Sequence, residues 1–258
     1  MVQPNDNDPL NRTQAQPTGQ ATGQSGTVTP NTLSDGVVTT VPREGFLTGS
    51  FVWMFVGVLL SAAAAVFVMN NESLRQTLVE NLFIVMIGQL ALVFGIMFLI
   101  ARIPPLVALA LFFVYALTMG MVLGVIVEGY VAAGSMGAVV SAFLGAAAIF
   151  GGAAVYGVVT KRDLTSLGGI LFMGLLGLIV VMVVQLFFFA ESSLFNLAIG
   201  VIGVLIFTGL TAYDVQRLKN GQIEGINKDS ATVMGALHLY LDFINLFLFM
   251  LRIVGGNR

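Results

Sequence analysis

The sequence predicts an all-α integral membrane protein: a seven-transmembrane-helix bundle preceded by a disordered N-terminal tail. Three observations carry this expectation. The chain is 57% hydrophobic and only 9% charged, whereas a soluble domain holds about 25% charged residues. So little polar surface cannot cover a globule, and most of the exterior must face lipid. Next, the apolar residues fall into runs of about 20, the length a helix needs to cross the hydrocarbon core. Finally, the first 44 residues share none of this character.

Residues 1–44 are rich in Pro, Gln, Thr, Gly, Asn and Ser ("PNDNDPLNRTQAQPTGQATGQSGTVTPNTLSDG"). They carry too little apolar surface to offset the entropy of ordering, so this segment reads as a disordered polar cytosolic tail. It does not read as a cleaved signal peptide, because polar sequence precedes any hydrophobic run. Residues 45–258 form the membrane domain. Seven spans are expected near 46–69, 81–103, 106–127, 136–159, 167–189, 195–218 and 231–254. They are separated by short polar stretches such as "NNESLRQTLVE", "ARIPP" and "TKRDLTS". Pro104 and Pro105 suit a break between the second and third spans, since proline interrupts the helical ladder. The runs lack the apolar–polar alternation of a membrane strand.

The basic residues predict orientation. With seven crossings, Arg12, Arg43, Arg102, Lys161, Arg162, Arg217, Lys219 and Lys228 lie on one side, and Arg75, Arg252 and Arg258 on the other. The positive-inside bias then places the N-terminus in the cytosol and the C-terminus outside. Glycines cluster in the third and fourth spans (Gly120, Gly124, Gly145, Gly151, Gly152, Gly157). Close helix packing is the simpler reading, and a hinge is the alternative. No internal repeat argues for an inverted-repeat transporter.

Several functions are excluded or unsupported. A net charge of −2 gives no electrostatic case for nucleic acid. With no cysteine there are no disulfides or thiolate metal sites, and a single histidine, His238, excludes a multi-histidine zinc site. No cofactor is expected, and the lipid bilayer is the partner that composition implies.

What remains is a pair of carboxylates in oily surroundings. Asp242 lies 11 residues beyond Ala231, near mid-bilayer at about 1.5 Å per residue. A charge at that depth is a functional hypothesis by default. Its helical face carries Gly235, His238, Asn245 and Phe249, a polar stripe expected to face the bundle interior. Asp214 sits near the cytosolic end of the sixth span, sharing a face with Thr211 and Arg217. The midpoint of 214 and 242 falls in the connecting loop, so the two carboxylates can meet across the helix pair. A simpler reading of Asp214 is an interfacial residue paired with Arg217 or Arg102. His238, four residues before Asp242, is expected either to modulate that carboxylate or merely to pack.

The stretches "FTGLTAYDVQRLKN" (207–220) and "ALHLYLDFINLFLFMLRIVGG" (236–256) resemble the signature of the Bax inhibitor-1, or transmembrane Bax inhibitor motif, family, and the chain looks like a bacterial member. The resemblance extends over about 45–256 and is most specific in the last two spans. It implies a central helix surrounded by the others and a pH-sensitive calcium leak channel in a bacterial inner membrane, rather than an enzyme. It also implies that Asp214 and Asp242 form a pH-sensing di-aspartyl pair on the ion pathway. An arginine late in the second span, here Arg102, would bond the sixth-span aspartate in the closed state. His238 departs from the family, which usually has a small residue there.

Two buried carboxylates cannot both ionise cheaply, so the pair is expected to share a proton near neutral pH. Asp214 and Asp242, with Asn245 and Thr211, fall short of the six to eight oxygens calcium prefers, which suits a weak, transient calcium site. Calcium ions and protons are thus the expected partners. Two other classes compete. One is a regulatory membrane protein acting through protein partners, for which no partner site is visible. The other is an intramembrane aspartyl protease, whose second aspartate would follow Gly-x-Gly rather than Leu-Tyr-Leu.

Overall fold

The computed structural model describes residues 45–188, 193–221 and 227–255; the tail expected to be disordered lies outside them. Among the described residues the structure is helical, with eight helices in chain order: α1 (Phe46–Met69), α2 (Glu72–Glu80), α3 (Leu82–Leu99), α4 (Pro105–Ala132), α5 (Met136–Val159), α6 (Thr165–Phe188), α7 (Ser193–Lys219) and α8 (Lys228–Gly255). Seven of these are long and apolar enough to cross a membrane, and α2 is the exception.

Helix α2 corrects the expectation that "NNESLRQTLVE" is only a separator. Asn71 caps it by accepting a hydrogen bond from Leu74 N (3.0 Å), and Glu72 sits in its first turn, where the helix dipole favours an acid. Two other boundaries also moved. The second span stops at Leu99, and residues 100–103 form a turn, because Pro104 and Pro105 disfavour helical backbone in the residues before them. Pro105 then opens α4 as its first residue, where its missing N–H costs nothing. Helix α4 continues five residues past its expected end at 127, as nothing in "EGYVAA" breaks a helix before Gly134, whose φ is +71°.

Helix α8 is the centre of the bundle. Its apolar window is 56% buried, against 6% for α6 and 11% for α3, and it packs on α1, α4, α5 and α7. The outer helices α3 and α6 attach mainly to α4 and α7 respectively. In lipid an outer face is as apolar as an inner one, so side-chain size and the few polar groups decide which face turns inward.

The α1–α4 contact shows this choice. A Cβ on Gly120 would meet the backbone of Ser61, and one on Gly124 the backbone of Ala65. Gly151 and Gly152 face open space instead, so the glycine cluster splits between packing and lipid-facing positions. Close approach lets Ser61 connect three helices. Its hydroxyl lies 2.7 Å from Ala116 O of α4 and 2.7 Å from the hydroxyl of the fully buried Tyr240 on α8. Tyr240 in turn meets Phe112 and Tyr115 edge-on, with ring centroids 5.6 and 6.0 Å away.

Candidate functional site

Helices α7 and α8 present their polar residues to one cavity of about 680 Å³, lined on its other sides by α3, α4 and α6. Asp214, Arg217, His238, Asp242 and Asn245 all line it. The polar stripe expected on α8 therefore does face the interior, except at Gly235, which packs against Ser50 and Leu218. The cavity has a gradient. The end near Gly168, Tyr213 and Arg217 is polar, whereas the end near Met182, Phe207 and Phe249 is apolar.

The two carboxylates differ in setting. The Asp214 side chain is 13% exposed and lies within electrostatic reach of both His238 and Arg217. Asp242 is 4% exposed, and its Oδ2 has no hydrogen-bond partner among the described residues. The carboxylates are close enough to feel each other's charge, and Thr211 lies beside Asp242. The Thr211 hydroxyl donates to Phe207 O (2.8 Å), within its own helix. The Asn245 amide donates to Leu241 O (2.8 Å), within its own helix.

His238 departs from expectation. Spacing along α8 pointed to Asp242, but His238 Nδ1 lies 3.8 Å from Oδ2 of Asp214, across the helix pair. A protonated imidazole would form an ion pair there, beyond direct hydrogen-bond range. Arg102, the expected gating partner, is exposed in the α3–α4 turn, where its N–H donates to Leu99 O (2.7 Å), and it does not line the cavity. The structure brings Asp214, Asp242, His238, Arg217, Asn245 and Thr211 together and leaves Arg102 apart. Among the described residues no group of three or more His, Cys, Asp or Glu could hold a metal ion.

Sequence reasoning missed two features. Tyr115 and Tyr213 contribute to the cavity wall; Tyr213, next to Asp214, was the more visible. At the opposite end of the bundle Arg252 of α8 donates to Gln185 of α6 and to Asn196 Oδ1 of α7 (Nη2, 2.5 Å), while Gln185 Nε2 donates to Asn196 Oδ1 (2.7 Å). This knot joins three helix ends. Gln185 and Asn196 stood out only as isolated amides in apolar runs.

Comparison with known proteins places the chain in a family. A family model described as "Inhibitor of apoptosis-promoting Bax1" matches residues 43–258, the whole helical body. The chain belongs to the Bax inhibitor-1 family. Relatives span similar lengths. The "Inner membrane protein YbhL" of Escherichia coli K12 is 38% identical over 236 residues, covering 87% of this chain and 97% of the relative. A protein of Deinococcus radiodurans is 40% identical over 216 residues (83% and 90%), and one of Borreliella burgdorferi is 40% identical over 223 (84% and 94%). As a Bax inhibitor-1 family protein with seven apolar spans, the chain is a multi-pass integral membrane protein.

Proposed function

We propose that this chain is a pH-sensitive leak pathway for calcium, or a closely similar cation, gated by the Asp214–Asp242 pair, and that it is not an enzyme. One observation carries the reading: both carboxylates line a single intramembrane cavity, and Asp242 keeps a buried oxygen with no partner among the described residues. Such an atom is costly unless protons or cations use it. A shared proton would leave the pair with a single negative charge in the resting state, and its loss would create a doubly charged site attractive to a hard cation.

The apolar end of the cavity supports a closed resting state. There Phe207 of α7 and Phe249 of α8 lie with ring centroids 5.7 Å apart, between the carboxylates and the Arg252 knot. A hydrated ion cannot pass packed aromatic rings cheaply, so conduction requires α7 and α8 to part there. Calcium is the permeant substrate in this scheme and the site holds it weakly.

A protease is less well supported, because Asp242 follows Leu-Tyr-Leu rather than Gly-x-Gly. Tyr240, two residues before Asp242, is buried against Ser61 and the α4 aromatics and does not line the cavity. Proteoliposomes loaded with a calcium indicator decide the matter. The expected result is calcium flux above that of empty liposomes, varying with pH and altered by Asp242→Asn, with no cleavage of membrane-embedded peptides by the same preparation. Absence of flux would leave a regulatory role through protein partners, and cleavage abolished by Asp242→Asn would establish the protease.

A further inference from the structure

A second, smaller cavity of about 280 Å³ lies at the bundle end that carries the N-terminus of α1 and shares no lining residue with the carboxylate cavity. The α5–α6 turn and the last turn of α7 line it, and its charged lining is Lys161, Arg162, Asp163 and Lys219. The turn is held in shape from below. The Gln216 side chain, 7% exposed, accepts from Leu164 N (2.8 Å) and donates to Arg162 O (2.7 Å). Lys219 Nζ donates to Val158 O (2.5 Å), fixing the third cation at the rim. The single carboxylate is engaged elsewhere: Asp163 Oδ1 accepts from Thr165 N (2.9 Å) and Thr165 Oγ1 (2.6 Å). Three cations therefore share a preformed polar hollow with one carboxylate that is already bonded.

We propose that this hollow binds the phosphodiester headgroup of an anionic phospholipid. The charge fits a phosphate, and the surroundings select a lipid over a soluble anion. On either side of the turn the surface passes directly into exposed apolar side chains, with Val159 65% exposed on α5 and Leu167 44% exposed on α6. These face the hydrocarbon region in a membrane and offer acyl chains a continuous path. Each cation near an anionic surface contributes about fivefold in affinity.

The test uses the purified full chain in a neutral detergent, titrated with phosphatidylglycerol, with phosphatidylcholine of the same chain length, or with sodium phosphate. Retained lipid is read by native mass spectrometry and stabilisation by the thermal unfolding midpoint. Phosphatidylglycerol should bind and raise the midpoint where the other two do not. Lys161→Gln and Lys219→Gln should each weaken it about fivefold, and the two with Arg162→Gln by on the order of a hundredfold. All three side chains are exposed, so these variants should fold. Lys161→Arg should retain binding, as should Arg102→Gln, a cation at the same end but outside the hollow. Equal binding of the two lipids overturns the proposal. So does an equal effect of sodium phosphate, which would make the hollow a free-anion site. Equal loss in Arg102→Gln would reduce it to diffuse surface charge, and unchanged binding in the triple variant would also refute it.

Discussion

Under the proposed function Asp242 and Asp214 act as one electrostatic unit, and His238 lies beside the Asp214 half of it. Groups in one network do not contribute additively. Under the proposed function, Asp214→Asn and Asp242→Asn should each change the proposed calcium leak and its pH response, and the double variant should add little. Strictly additive changes in liposome flux would show two independent sites. The 3.8 Å separation between His238 Nδ1 and Asp214 Oδ2 refines a second expectation. A histidinium there favours the ionised carboxylate, so the pH response of His238→Ser should move upward. That shift should shrink in an Asp214→Asn background. Flux–pH curves of the two single variants and the double variant test this, and superimposable wild-type and His238→Ser curves would leave the imidazole as packing.

At the scale of elements, lipid removes the usual reason for one helix face to bury, so backbone approach and a few polar knots hold the bundle. Two glycines from neighbouring spans should therefore behave oppositely. Gly120→Ala forces a methyl into the Ser61 backbone and should cost about 1–3 kcal/mol. Gly151→Ala meets open space and should be neutral or stabilising by roughly 0.5–1 kcal/mol, from the lower entropy of the unfolded chain. Thermal unfolding in detergent compares them directly. The Arg252 knot makes a related prediction. Among the described residues Arg252→Met leaves Gln185 and Asn196 with only each other, and it should cost about 1–3 kcal/mol.

For the whole molecule, orientation remains an expectation of charge distribution, with eight of the eleven Lys and Arg residues on the proposed cytosolic side. A phosphatase fused after Arg258 should be active outside the cytosol, and a fluorescent reporter at the same place should stay dark. The reverse pattern would invert the bundle. The phospholipid hollow would then face the other leaflet, although its chemistry would be unchanged.

The sequence by itself determined the spans, because crossing a bilayer depends on local composition and length. Residues 46–69 and 136–159 match α1 and α5 at both ends, where no breaker competes with the apolar run. The motif around Asp214 and Asp242 was legible for a similar reason: carboxylates in hydrocarbon stand out one residue at a time. Helix α2 was legible in principle through the Asn71 cap, but its polar composition disguised it as a connector. Only the tertiary structure decided partnership. Spacing along α8 assigned His238 to Asp242, yet the packing of α7 on α8 set it opposite Asp214, and Arg102 came to rest in an exposed turn. The Arg252 knot and the Gln216 clamp likewise join residues more than 50 positions apart. Such contacts depend on the rotation and depth of each helix, which small residues and close backbone approach settle, and no local stretch of sequence encodes either.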